Sequence, residues 1–162
     1  MRIFLLTVLF SLMPPFSVVF GQVGVRAPSF ALRDVNGASS GFDRFQGKVV
    51  LISFWAPWCV SCREELPELE RLYAMFGEKG FVVIGVNVEG SRARTERMLK
   101  KLALTFPLLI DERGDTAEAY QVSRLPTSFL IGRDGVIRRT YRGFERDMIP
   151  QIERDISEQL VK

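Results

Sequence analysis

This chain of 162 residues, 47% hydrophobic and 25% charged, is long enough for one domain with a buried core and short appendages. Lysine and arginine exceed aspartate and glutamate by 22 to 19, an excess too small for a nucleic-acid-binding surface. The sequence has two cysteines and no histidine, which excludes catalytic triads and metal sites that depend on imidazole.

The N-terminal segment combines Arg2 with an uncharged apolar stretch over residues 3–20 and with the small residues Val19 and Gly21. This pattern predicts a cleaved secretory signal over residues 1–21, followed by one domain over residues 22–162. Pro14-Pro15 disfavours a spanning helix, although a retained membrane anchor and a buried core helix are the alternatives. We therefore expect a periplasmic or other extracytoplasmic domain, soluble after cleavage or tethered by the anchor.

The first half of the domain shows strand and helix patterns in turn. Residues 27–32 alternate into an extended segment, a turn follows at 35–37, and residues 42–47 form a loop or a single helical turn. Residues 49–54 are apolar and rich in β-branched side chains, which predicts a strand covered on both faces. From Cys59 to about Phe76, apolar residues recur every three or four positions, which predicts an amphipathic helix.

The second half continues this alternation. Its predicted elements are a buried strand at 81–88, a helix at 92–104, an extended piece at 106–110, a short helix at 116–120, strands at 128–131 and 136–141, and a closing helix at 147–160. Helical crossovers imply parallel strands, and the turn at 133–135 adds an antiparallel pair. We predict an α/β fold with a central mixed β-sheet, helices on both faces, and an N-terminal extended or hairpin extension.

The two cysteines, Cys59 and Cys62, lie between the predicted strand and the predicted helix. A zinc site usually needs four cysteine or histidine ligands, and covalent haem attachment needs a histidine where Arg63 stands. We therefore expect no metal and no other cofactor. A static structural disulfide and a redox-active pair remain, and the position at a helix start favours the redox-active pair.

Reactivity follows from the helix start itself. A sulfur at Cys59 faces unsatisfied backbone N–H groups and the positive end of the helix dipole, which favours its thiolate form. Cys62 lies almost one turn further in, where it is better shielded and close enough to form a disulfide. Cys59 is then expected to attack, and Cys62 to resolve the mixed disulfide.

Two separated motifs resemble known ones. The segment Trp55-Ala56-Pro57-Trp58-Cys59-Val60-Ser61-Cys62, with Pro67 five residues later, resembles the active-site segment of the thioredoxin fold. The segment 125–131 resembles the second signature of that fold, a cis-proline before a strand. The lead-in at 27–32 and the run at 47–51 are similar to those of TlpA/ResA-like extracytoplasmic thiol–disulfide oxidoreductases. The resemblance implies a thioredoxin-like fold for nearly the whole domain.

The resemblance also assigns roles to matching positions. It implies that Cys59 is the exposed nucleophile, that Cys62 is the buried resolving cysteine, and that Pro126 is the cis-proline beside the disulfide. The backbone of Leu125 is expected to pair with a substrate peptide in the manner of a strand.

Three further positions carry expectations from the same resemblance. Glu65 matches a carboxylate under the active site, and a partly buried carboxylate could accept the Cys62 proton. The alternative for Glu65 is an ordinary solvated helix residue. Trp55 and Trp58 are expected to flank the disulfide as a substrate-facing apolar surface, and the alternative for either is a place in the core.

Two positions depart from the family pattern. Ser61 stands where proline is common, and Ser53 stands where thioredoxins carry aspartate and ResA-like chains carry asparagine. Both positions tune the thiolate and the proton path. They leave the redox potential, and with it the direction of electron transfer, open.

The expected function is reduction of disulfides in exported proteins, including apocytochrome c during maturation, by a monomer recharged by a membrane thiol electron donor. A disulfide-forming oxidant of the same fold is the alternative. A peroxiredoxin is disfavoured because Ala56 stands where its threonine is needed. A copper-delivering module of related fold is disfavoured because it uses a C-x-x-x-C pair and a histidine.

Overall fold

The computed structural model describes residues 23–89 and 91–162. The predicted signal segment, residues 1–21, lies outside this range, and so does the choice between a cleaved and an anchored N-terminus. Within the described ranges, no helix combines the length and the apolar character needed to cross a bilayer.

The described residues form seven strands and four α-helices. The strands are β1 (Ala31–Asp34), β2 (Ser39–Gly41), β3 (Val49–Trp55), β4 (Phe81–Asn87), β5 (Leu108–Ile110), β6 (Thr127–Ile131) and β7 (Ile137–Arg142). The helices are α1 (Val60–Phe76), α2 (Arg92–Leu102), α3 (Asp115–Ala119) and α4 (Ile149–Leu160). The predicted alternation of strands and helices is confirmed, with boundaries shifted by a few residues.

The strands form one mixed sheet in the order β2-β1-β5-β4-β3-β6-β7. The strands β3, β4 and β5 run parallel, and every other pairing is antiparallel. The N-terminal hairpin of β1 and β2 turns at Gly37, which has a φ of 86°. Both Asn36 and Ala38 donate backbone N–H groups to the Asp34 carboxylate at 2.8 Å. The predicted hairpin extension therefore lengthens the sheet beside β5.

Two apolar layers cover the faces of the sheet. Every residue of β3 and β4 is buried, as the continuous apolar runs predicted. On one face, the core joins α1 and α4 through residues such as Leu66, Leu69, Ile152 and Ile156. On the other face, Phe54, Tyr120 and Phe129 pack with the residues that precede β1 and with α3.

The topology brings two chain segments to one end of the sheet. Strand β3 runs toward the cysteines, and β6 begins beside its end, with Phe54 opposite Thr127. Pro126, which precedes β6, therefore lies at the same end as the start of α1. The fold thus brings the cysteine pair and Pro126 to the same end of the sheet, where the candidate site lies.

Candidate active site

The cysteine pair lies where strand β3 gives way to helix α1. Cys59 is the N-cap residue of α1, and its Sγ accepts the backbone N–H of Cys62 at 3.2 Å. The Cys59 N–H in turn bonds to the Ala56 carbonyl at 3.1 Å, which tightens the loop. The two sulfurs form a disulfide. Backbone donors at a helix N-terminus stabilise negative charge, so this geometry favours a thiolate on Cys59 after reduction.

The two sulfur-bearing residues differ in access. Cys59 retains 6% of its surface and Cys62 retains none. Cys59 is thus less exposed than expected, but it is the more accessible of the two.

Ser61 places a hydroxyl beside the sulfur of Cys59. Its Oγ lies 3.6 Å from the Cys59 Sγ, within reach of a weak hydrogen bond. A proline at this position has no such donor. The departure from the family pattern therefore adds a polar neighbour to Cys59.

The loop before β6 forms the second part of the site. The Leu125–Pro126 peptide bond is cis, and Pro126 is buried. The Pro126 carbonyl accepts the Gly143 N–H at 2.8 Å, which ties this loop to the end of β7. Leu125 is half-buried, and among the described residues neither of its backbone polar groups bonds to another backbone group. Leu125 therefore offers a donor and an acceptor at the edge of the site.

Glu65 lies beneath the cysteine pair in the core. It is 1% exposed, so the alternative of a solvated helix residue is wrong. Its two carboxylate oxygens accept hydrogen bonds from Ser53 at 2.8 Å and from Ser128 at 2.9 Å. These serines are opposite each other across β3 and β6, so the sheet register holds both donors under the helix.

Burial sets the protonation of this carboxylate. Removal from water raises the pKa of Glu65 from 4.5 to about 7, and the hydrogen bonds from Ser53 and Ser128 lower it in part. Glu65 follows Cys62 by three positions in α1, a spacing that puts side chains on the same helix face with Cβ atoms roughly 5–6 Å apart. A carboxyl group of this pKa exchanges protons readily near neutral pH.

The two tryptophans have opposite environments. Trp58 is 64% exposed beside Cys59. Trp55 is fully buried, so the expectation that it presents a substrate-facing surface is wrong. The reason is that Trp55 is the last residue of β3, whose two faces are both covered. Its indole Nε1 has no hydrogen-bond partner among the described residues. This nitrogen lies against Gly85, and a Cβ added to that glycine would be 3.2 Å from it.

Sequence reasoning missed the partners of Glu65. In the sequence, Ser53 stands out only as a departure from the family pattern, and no motif points to Ser128. The available signal was a serine inside each of two buried and mostly apolar strands. In the described part of the chain, no cluster of three or more histidine, cysteine, aspartate or glutamate side chains could hold a metal ion.

A disulfide at the start of a helix, beside a cis-proline loop and above a buried carboxylate, defines a thioredoxin-like thiol–disulfide oxidoreductase. Residues 23–140 match the sequence profile of the AhpC/TSA family. The chain belongs to this family and, within it, to the ResA-like thiol–disulfide oxidoreductases. The predicted fold class and the predicted class of enzyme are confirmed.

Named relatives support this placement. The chain is 35% identical over 121 residues to the thiol-disulfide oxidoreductase ResA of Geobacillus thermodenitrificans, covering 75% of this chain and 70% of the relative. It is 37% identical over 126 residues to the thioredoxin-like protein YneN of Bacillus subtilis, covering 75% and 72%. A solved structure from Chlorobium tepidum, described as thiol:disulfide interchange protein DsbE, superimposes with a TM-score of 0.82 at 32% identity, covering 86% of this chain and 98% of that one.

Proposed function

We propose that this protein reduces disulfide bonds in exported proteins, with Cys59 as the attacking residue and Cys62 as the resolving residue. The observation that carries the proposal is the asymmetry of the pair. Cys59 caps the helix and is partly accessible, whereas Cys62 is fully enclosed. The roles of nucleophile and resolver follow from that difference in access and in thiolate stabilisation.

The first step joins enzyme and substrate. The Cys59 thiolate attacks one sulfur of the substrate disulfide, forms a mixed disulfide with it, and releases the other sulfur as a thiolate that takes a proton from solvent. Before this exchange, the substrate backbone pairs with the open donor and acceptor of Leu125, and Pro126 holds that loop beside the sulfurs. Trp58 supplies exposed apolar surface next to the attacked bond.

The second step releases the substrate. Cys62 loses its proton to the Glu65 carboxylate, and the resulting thiolate attacks the Cys59 sulfur. The Cys59–Cys62 disulfide forms, and the substrate leaves with its second thiol. Two electrons have then passed from the enzyme dithiol to the substrate disulfide. A thiol electron donor in the membrane restores the dithiol by the reverse exchange.

Compartment and partners complete the proposal. The apolar segment at residues 1–21 directs the domain at 22–162 to the periplasm or an equivalent compartment, as a cleaved signal or as an anchor. Disulfide-containing exported proteins are the substrates, and apocytochrome c is one of them by the resemblance to ResA-like chains. The protein acts as a monomer.

A trapping experiment tests the two roles. The chain has only two cysteines, so Cys59→Ser and Cys62→Ser each leave a single thiol. Each variant is incubated with a disulfide-containing protein, and covalent adducts are located by mass spectrometry. We expect a stable mixed disulfide on Cys59 in Cys62→Ser and little adduct in Cys59→Ser. An adduct that forms faster on Cys62 would reverse the assignment.

A further inference from the structure

A groove of about 430 Å³ opens directly beside the active-site loop. One wall contains Pro57, Trp58 and Arg63, which immediately flank the cysteine pair in sequence. The other wall is a single face of α2, formed by Arg94, Arg97, Met98, Lys101 and Leu102. Glu89 also lines it, and we call this site the basic groove.

The basic groove is strongly biased in charge. It carries four arginine or lysine side chains and one carboxylate, that of Glu89, which pairs with Arg94 at 2.7 Å. Within the described residues, Arg63, Arg97 and Lys101 form no ion pair. All three are exposed. Three uncompensated positive charges therefore face one groove, in a chain whose whole net charge is only +3.

Apolar side chains lie among these charges. Met98 and Leu102 are half-buried, and Trp58 is 64% exposed. An indole at this exposure beside a reactive disulfide gives the groove an apolar contact surface. The lining thus combines apolar surface with positive charges, which complements a peptide that carries an apolar side chain and carboxylates.

We propose that the basic groove binds an acidic peptide segment next to the target cysteine of the substrate. This inference rests on the proposed function and names the class of substrate that the site prefers. The substrate's carboxylates lie against Arg63, Arg97 and Lys101, and an apolar side chain packs on Trp58. The substrate peptide then continues from the groove to Cys59.

The position of the groove favours a peptide over an anionic membrane. The groove shares Pro57 and Trp58 with the active-site loop, so an occupant lies next to the cysteine pair. Its apolar residues lie between the active-site loop and α2, which leaves room for one extended peptide. Opposite charge across such a groove raises the association rate and selects among partners.

Two matched peptides test the proposal. Each contains one cysteine in a mixed disulfide with thionitrobenzoate, flanked either by glutamates or by glutamines. The dithiol form of the protein attacks the peptide sulfur and releases thionitrobenzoate, and stopped-flow absorbance gives the second-order rate constant. We expect the acidic peptide to react about tenfold faster at low salt, with the preference shrinking as salt screens the charges.

Two double variants locate the preference. In Arg97→Gln/Lys101→Gln, the ratio of the two rate constants should fall to about twofold, because two of the three uncompensated charges are gone. The control Lys48→Gln/Lys162→Gln removes the same charge from exposed positions. Lys48 precedes β3, at the opposite end of that strand from the cysteines. The ratio in this control should stay about tenfold.

The possible outcomes distinguish a failure of the groove assignment from a failure of the proposed function. Equal rates for both peptides with the wild-type protein would overturn the groove assignment and leave the proposed function standing. Loss of the preference in the Lys48→Gln/Lys162→Gln control would assign it to net charge and overturn the assignment as well. If only the Arg97→Gln/Lys101→Gln variant lost binding to phosphatidylglycerol vesicles while its peptide ratio stayed at the wild-type value, the groove would be a membrane surface instead. Failure of the wild type to reduce either peptide would refute the proposed function itself.

Discussion

Replacing Glu65 by glutamine isolates the effect of the buried carboxylate on stability. Burial raises the pKa of Glu65 to about 7, while 4.5 is its ordinary value. Between these two values the folded protein holds a proton that the unfolded chain has lost. The stability that the protonated Glu65 carboxyl contributes is therefore fully present below about pH 4.5 and is lost as pH rises through about 7. The reason is that ionising this carboxyl costs more free energy in the folded protein than in the unfolded chain.

The magnitude follows from the same two pKa values. One pKa unit corresponds to 1.36 kcal/mol, so the rise from 4.5 to about 7 costs the ionised protein about 3 kcal/mol of unfolding free energy. Glutamine has nearly the same shape and never ionises. Its amide oxygen and NH₂ group can keep contacts with Ser53 and Ser128, since either hydroxyl can donate or accept. Glu65→Gln should therefore avoid this loss.

Urea unfolding of the oxidised protein across the range of about pH 4.5 to 8.5 measures the difference. The Glu65→Gln variant should match wild type at the acid end and exceed it by up to about 3 kcal/mol at the alkaline end. The absence of histidine removes the side chain that ordinarily titrates in this window. Glu64→Gln, at the exposed neighbouring position, is the control and should show no such slope. A difference between Glu65→Gln and wild type that stays constant with pH would refute the reasoning.

Four further substitutions give distinct expectations. Ser128→Ala removes a hydrogen bond that lowers the pKa of the buried carboxylate, so the midpoint of its titration, followed by carboxyl carbon NMR, should rise. Trp58→Ala should leave the urea midpoint nearly unchanged and raise KM for disulfide substrates, whereas Trp55→Ala should cost about 3–5 kcal/mol because it empties a fully buried site. Gly85→Ala would place a Cβ 2.6 Å from a β5 leucine side chain and should cost about 1–3 kcal/mol in the same unfolding assay.

The order of elements could be predicted because its signals are local. The apolar runs of β3 and β4 and the helical spacing of α1 each lie within a single segment of sequence. The two motifs then aligned those segments with a known fold. The prediction of a mixed sheet combined the crossover rule for parallel strands with the hairpin turn at 133–135.

The environment of Glu65 depends on contacts that no local pattern encodes. Its two hydroxyl partners are 12 and 63 residues away in sequence. They meet only because β3 and β6 pair with Ser53 opposite Ser128. The sequence could suggest a buried carboxylate by resemblance, but the sheet register determines which side chains donate to it.

The tryptophans and α2 show a second limit of local patterns. Trp55 and Trp58 both flank the motif, and only the covered faces of β3 explain why one is buried and the other exposed. Helix α2 packs Met98, Leu99 and Leu102 against the core. Met98 and Leu102 are only half-buried there, since the helix also forms a wall of the basic groove.

The equilibrium between the Cys59–Cys62 disulfide and a dithiothreitol buffer tests the proposed reductase activity most directly. The oxidised fraction is measured across a series of thiol-to-disulfide ratios. A reductase should give a strongly reducing potential, near the value of about −270 mV typical of thioredoxin. A value near about −120 mV, that of a disulfide-forming catalyst, would contradict the account and reverse the direction of electron transfer.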